Sequence, residues 1–109
     1  MDIDELLKLL KDELLKVLGD SYADYKKETK KDVEAFLQIS KVKLERWTSL
    51  LASKDLTPKD YQWLLESQKD LLVLNALYQA GVSKLRLGHL KNKIIKTIVN
   101  TAVAAVLKP

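Results

Sequence analysis

The sequence contains no cysteine, only three glycines and two prolines, and a single histidine among its 109 residues. Without cysteine the chain forms no disulfide and no thiolate metal site, which gives a weak preference for the cytosol. The scarcity of glycine and proline argues against a loop-rich β fold, and a hydrophobic content of 47% argues against disorder. We therefore expect a single domain, long enough to bury a hydrophobic core.

Residues that carry catalysis are equally scarce. The sequence has no glycine-rich phosphate loop, no His-x-x-x-His pair and no Glu-x-x-His motif. His89 lies in a basic stripe, where a surface position is more common than a role as base or metal ligand. Asp20, Asp24, Glu28 and Asp32 recur at i, i+4, but neighbouring lysines neutralise this row as on a solvated helix. We therefore predict a protein that is not an enzyme, with no cofactor, no metal and no evident small-molecule substrate.

Targeting and membrane-spanning signals are also lacking. The first residues are acidic and do not show the basic-then-apolar order of a signal peptide, so we expect no secretion. The most apolar stretch, residues 94–107, would span about 21 Å as a helix, against roughly 30 Å of bilayer hydrocarbon. We therefore expect a cytoplasmic protein without a transmembrane span.

Apolar residues instead recur with the period of amphipathic helices. Helices are predicted near residues 3–18, 21–53, 58–80 and 83–107. Asp2 and Glu5 have the spacing of a capping box, and Thr57 followed by Pro58 marks a helix start. Gly81 either separates the last two helices or lies within one bent helix. The predicted fold is all-α, an antiparallel bundle of about four helices with one overlong helix.

The overlong helix has a regular stripe on one face. Its members follow steps of 3, 4 and 4 residues: Tyr22, Tyr25, Thr29, Val33, Phe36, Ser40, Leu44, Trp47 and Leu51. This eleven-residue period predicts a nearly straight helix of about 48 Å, which would overhang a compact domain of this length. The inner part, residues 33–51, is predicted to hold the bundle. The polar outer part, residues 22–32, either packs on the first helix or reaches another subunit.

The net charge of +4 conceals segments of alternating sign. Residues 1–25 carry −4, residues 26–54 carry +4, residues 55–80 carry −2 and residues 81–109 carry +6. Opposite charges on antiparallel neighbours favour one pairing of helices without adding much stability. Only the last segment contains no acid to balance its basic residues, which indicates a partner outside the chain.

The two last helices carry more apolar surface than one bundle face needs. Residues 71–78 are apolar nearly all round and should be covered on both sides. Gln68 and Asn75 either set the register of a helix interface or are partly exposed. The first hypothesis is a structural or interaction module that self-associates, as a homo-oligomer, or docks a helical protein partner. The predicted contact residues are Trp63, Leu74, Leu77, Val99, Val103, Val106 and Leu107.

Two further hypotheses use the basic charge of the last helix. A basic amphipathic segment over residues 82–107 is typical of peripheral binding to an anionic membrane surface. The residues predicted for that contact are Lys84, Arg86, Lys91, Lys93 and Lys96. Lys84 and Lys91 project near the apolar side, where their stems can extend along it. Nucleic-acid binding is disfavoured, because acids dilute the basic cluster of residues 26–31 and aromatic residues do not interleave with the later one.

Overall fold

The computed structural model describes residues 2–19 and 23–107, and these form helices and no strands. The helices are α1 (Ile3–Gly19), α2 (Lys26–Ile39), α3 (Lys41–Ala52), α4 (Pro58–Ser67), α5 (Asn75–Gln79) and α6 (Lys84–Leu107), with 3-10 turns at Ala23–Tyr25 and Lys69–Leu71. The predicted all-α class is confirmed. The described part of the chain has six α-helices where the sequence predicted about four.

The last helix is the centre of the bundle. α6 packs against α1, α3, α4 and α5. Its buried residues are Leu87, Leu90, Ile94, Ile95, Ile98, Val99 and Ala102. α1 packs against both α2 and α6 through leucines at positions 6, 10, 14 and 18, which lie about one turn apart along one face. The buried side chains of all these helices form one continuous core.

The predicted helix starts are confirmed by their caps. The backbone N–H of Glu5 donates to the Asp2 carboxylate at 2.8 Å. At the start of α4, the N–H of Asp60 donates to the Thr57 hydroxyl and the N–H of Thr57 donates to the Asp60 carboxylate, each at 3.1 Å. Pro58 occupies the first helical position, where its missing N–H costs nothing.

Residues 21–53 do not form the single continuous helix that the sequence predicts. Residues 21 and 22 of that range lie outside the described residues. α2 ends at Ile39 and α3 begins at Lys41. Ser40 between them has φ −91° and ψ 1°, while its N–H still donates to the Phe36 carbonyl at 2.9 Å. The members of the stripe from Tyr25 onward, all within the described residues, nevertheless lie on the buried side. A straight helix of this length would span about 48 Å, whereas the longest extent of the protein is 42 Å.

The described part of the predicted outer arm packs within the monomer. α2 lies against α1 and α5. Thr29 and Asp32 are buried, and Tyr25 packs against the core. Of the two predicted roles for this polar stretch, packing on the first helix is therefore the one observed. The prediction that the stretch overhangs the domain is wrong.

The predicted helix over residues 58–80 is interrupted as well. α4 ends at Ser67, and α5 begins only at Asn75. Between them, Leu72 and Leu74 have ψ angles of 75° and 61°, outside the helical region. Within one chain, residues 71–78 are not covered on both sides, because Val73 and Tyr78 are exposed.

Gly81 separates α5 from α6, which settles the alternative left open by the sequence. Its φ of +101° is readily adopted only by glycine. The N–H of Val82 then donates to the Leu77 carbonyl at 3.1 Å, which closes the end of α5. Ser83 accepts a hydrogen bond from the N–H of Arg86 at 3.3 Å and so caps α6.

Candidate docking groove

The short helix α5 is capped by a side chain from another helix. The residue before it, Leu74, has no side chain that could accept a hydrogen bond. Asp32 of α2 instead accepts from the backbone N–H of Ala76 at 3.0 Å and of Leu77 at 2.9 Å. These N–H groups belong to the second and third residues of α5, which an ordinary N-cap side chain would satisfy. Asp32 is only 4% exposed, so the cap fixes α5 to the interior of the fold.

The chain that leads into α5 alternates between the core and the surface. Leu72 and Leu74 are buried, whereas Leu71, Val73 and Asn75 are exposed. Leu72 has φ −83° and ψ 75°, and the N–H of Val73 donates to the Leu71 carbonyl at 3.0 Å, which is the geometry of an inverse γ-turn. Val73, which follows this turn, is 63% exposed. Tyr78, one turn into α5, is 53% exposed.

A groove of about 370 Å³ lies between this exposed edge and the first turns of α6. Its lining residues are Val73, Leu74, Asn75 and Tyr78 on one side and Lys84, Leu87, Gly88 and Lys91 on the other. The polar groups are confined to the Asn75 amide, the Tyr78 hydroxyl and the two lysine ammonium groups. The groove is therefore apolar in its walls and positive in its charge.

The α6 side of the groove is one face of a helix. Residues 84, 87, 88 and 91 follow the i, i+3, i+4, i+7 spacing and cover about 10 Å. Lys84 is exposed and Lys91 half-buried, and neither ammonium forms a salt bridge with a described residue. A Cβ atom added at Gly88 would meet no atom within 4 Å. The glycine therefore leaves the middle of the groove open.

The predicted contact residues divide between surface and core. Trp63 on α4 is 67% exposed. Leu74, Leu77 and Val99 are buried in the monomer. The remaining three, Val103, Val106 and Leu107, are partly buried and pack against the core. Of this set, the structure leaves only Trp63 largely free to meet a partner.

The predicted anionic-surface residues do not form one face. Lys84 and Lys91 line the groove, as their projection toward the apolar side indicated. Arg86, Lys93 and Lys96 are exposed and do not line it. The basic charge of α6 is thus divided between the groove and the open surface.

Residues 2–19 and 23–107 include no cluster of three or more histidine, aspartate or glutamate side chains that could hold a metal ion. His89 is exposed on α6. The buried hydroxyls of Thr48 and Tyr61 lie 3.0 Å apart and hydrogen bond to each other.

Sequence reasoning missed the two features that build the groove. The spacing of Asp32 fits a solvated row of acids, because spacing alone does not reveal which helix will cover it. The apolar run of residues 71–78 predicts one helix covered on both sides, whereas Val73 and Tyr78 are exposed. The available signal was Gly88, which lies between Lys84 and Lys91 on one side of α6 and contributes no side chain there.

Comparison of the chain with protein-family models, curated proteins and solved structures finds no match. Within the described residues, no helix combines the length and apolar character needed to cross a membrane.

Gln68 and Asn75 are expected to lie on one helix, but they belong to separate elements. Gln68 accepts a hydrogen bond from the Lys43 ammonium at 2.7 Å, and Asn75 lines the groove.

Proposed function

We propose that this chain is a non-enzymatic interaction module that binds a helix in the groove between α5 and α6. The observation that carries the proposal is the large exposure of Val73 and Tyr78 along an apolar groove. Contiguous apolar surface rimmed by polar groups is typical of interaction sites. The groove follows two turns of α6, a length that suits a helical occupant.

The alternative function, binding to an anionic membrane surface, has less support. An interfacial helix needs its apolar face free to enter the lipid, whereas the apolar face of α6 is buried in the bundle core. Exposed Leu85 beside the basic residues is the one feature that favours it. We expect the protein not to float with anionic vesicles at low salt.

Binding of labelled amphipathic peptides tests the proposed function. The probes are helical peptides of about 18 residues with leucine anchors and an acidic, neutral or basic polar face, long enough to form a helix on binding. We expect at least one peptide to raise its fluorescence anisotropy with the wild-type protein. Gly88→Leu should weaken that binding about tenfold or more, because the added side chain fills the groove.

His89→Leu is the matched control, since it adds the same side chain to an exposed position of α6 outside the groove. This variant should bind the peptide as the wild type does. The proposal is wrong if no peptide binds the wild type, or if Gly88→Leu binds as tightly as His89→Leu.

A further inference from the structure

We propose that the occupant of the groove is α4 of a second copy of this chain, with Trp63 as its anchor. The inference rests on the proposed function and names its partner. Copies would then associate head to tail, because the indole and the groove are different surfaces of each molecule. Trp63 does not line the groove of its own chain.

Trp63 occupies the middle of the solvent-facing side of α4. Two residues before it, Tyr61 is fully buried, and two residues after it, Leu65 is also buried. Since successive residues of a helix are 100° apart, Trp63 points away from the core. A tryptophan that is 67% exposed leaves one of the largest apolar side chains in contact with water. Its burial in an interface would remove that apolar surface from water.

The chemistry of the groove matches an indole. Leu74 and Leu87 offer an apolar base, and Tyr78 offers an aromatic ring for stacking. The amide oxygen of Asn75 can accept the indole N–H, a donor that usually finds a partner when tryptophan is buried. The ammonium groups of Lys84 and Lys91 supply cations for the face of the ring. The volume of about 370 Å³ has room for this side chain.

The charges around the two surfaces are complementary. Asp60 and Glu66 lie three residues before and after Trp63, with Lys59 as the one basic residue of α4. Residues 55–80 carry −2, whereas residues 81–109 carry +6 and no acid. Docking of Trp63 would bring the carboxylate of Glu66 toward the two lysines of the groove. Such complementarity selects this partner and orients it more than it adds affinity.

Each copy presents one anchor and one groove. Two copies close into a two-fold dimer if both anchors enter both grooves at once; otherwise a further copy joins at either end, and the assembly grows into an open chain or closes into a larger ring. In each case a wild-type sample should show a mass that rises with protein concentration above that of the monomer.

A mixing experiment with two single variants tests this inference by sedimentation equilibrium. Trp63→Ala removes the anchor and keeps the groove, and Gly88→Leu fills the groove and keeps the anchor. Each variant alone should sediment as a monomer. An equimolar mixture should form a one-to-one dimer and nothing larger, because it contains one intact anchor and one intact groove. Dimer formation in the mixture also demonstrates that both variants are folded.

Charge variants give a second, independent measurement. Lys84→Glu with Lys91→Glu should weaken wild-type assembly about tenfold or more, and Glu66→Lys added to that protein should restore part of it. Lys31→Glu with Lys96→Glu is the matched control, because it makes the same change in net charge at exposed positions outside the groove.

Three outcomes overturn the inference. The wild type could remain monomeric, the mixture could remain monomeric, or both single variants could assemble like the wild type. A groove that binds a helical peptide in a strictly monomeric wild type would overturn the self-docking inference and leave the proposed function standing. A groove that binds no peptide, together with assembly unaffected by Gly88→Leu, would overturn both.

Discussion

The Asp32 carboxylate accepts a hydrogen bond of 2.9 Å from the backbone N–H of Leu77, across 45 residues of sequence. Both residues are buried, and the second carboxylate oxygen accepts from Ala76 at 3.0 Å. Through these bonds α2 holds the short helix α5, which is too short to be stable alone. Because Tyr78 of α5 forms part of the groove wall, the shape of the groove depends on a residue of a distant helix that does not line it.

Asp32→Ala should lower the free energy of unfolding by about 2–4 kcal/mol. The substitution leaves two backbone N–H groups without the charged acceptor that now satisfies them, and both lie in a buried or partly buried position. Asp32→Asn keeps one acceptor oxygen and should cost less. Urea unfolding followed by circular dichroism measures both changes.

Asp24→Ala provides the control from the same row of acids, since Asp24 is exposed. We expect its effect to stay within about 0.5 kcal/mol. Equal effects of the Asp24 and Asp32 substitutions would contradict the capping role of Asp32.

The sequence predicted most of the buried residues of α2 and α3, but not Asp32, Leu37 and Thr48, and not where the helix breaks. The 3, 4, 4 stripe is set by side-chain hydrophobicity, and Thr29, Val33, Phe36 and Leu44 are indeed buried. Continuity at Ser40 depends instead on how the bundle closes, which involves residues far away in sequence. A serine adopts helical and non-helical backbone with little difference in free energy, so it carried no local signal of the break.

The run of apolar residues before α5 was ambiguous for a different reason. Residues 71–74 are all apolar, and a short apolar run fits a buried helix and extended chain equally well. The same limit applies to the cap of α5, because its acceptor Asp32 lies on another helix. The groove follows from these two features, and its composition could be recognised from the sequence only in the spacing of Lys84, Gly88 and Lys91.

One of the two described salt bridges joins a segment of positive net charge to a segment of negative net charge, as the charge pattern predicts. Lys41, from a positive segment, lies 3.2 Å from Asp4, from a negative one. In the other pair, Lys11 belongs to the negative segment and Glu34 to the positive one, and they lie 2.7 Å apart. This ion pair, with its hydrogen bond from Lys11, lowers the pKa of Glu34. Segment charge thus favours a helix pairing, whereas individual contacts follow local geometry.

Ser40→Ala should stabilise the protein by about 1 kcal/mol. The Ser40 hydroxyl is buried and has no hydrogen-bond partner, so its removal relieves a desolvation cost. Ser49→Ala, at an exposed position of α3, gains only the difference in helix propensity and serves as the control. Thermal and urea unfolding of both variants give the comparison. A loss of stability in Ser40→Ala larger than in Ser49→Ala would mean that the hydroxyl supports the break between α2 and α3.

The buried pair Thr48 and Tyr61 predicts how stability depends on pH in the alkaline range. Burial raises the pKa of the Tyr61 hydroxyl above its ordinary value of 10.0, and the hydrogen bond with Thr48 opposes this with a smaller effect. The folded protein therefore keeps this proton at a pH where the unfolded chain has lost it. The resulting stability is complete below about pH 10 and is lost as the pH rises toward the pKa of the folded state.

Tyr61→Phe removes this titration and should therefore reduce the loss of stability that occurs above about pH 10. At neutral pH the same variant should lose about 1–2 kcal/mol, because the buried Thr48 hydroxyl loses its partner. Tyr61→Phe combined with Thr48→Val should recover part of that loss, since both partners are then apolar. Urea midpoints measured from about pH 8 to about pH 11 separate the two effects. Tyr78 is an exposed tyrosine, so the stability of Tyr78→Phe should decline with rising pH as that of the wild type does. An equally steep decline in the stability of Tyr61→Phe would show that Tyr61 does not contribute to it.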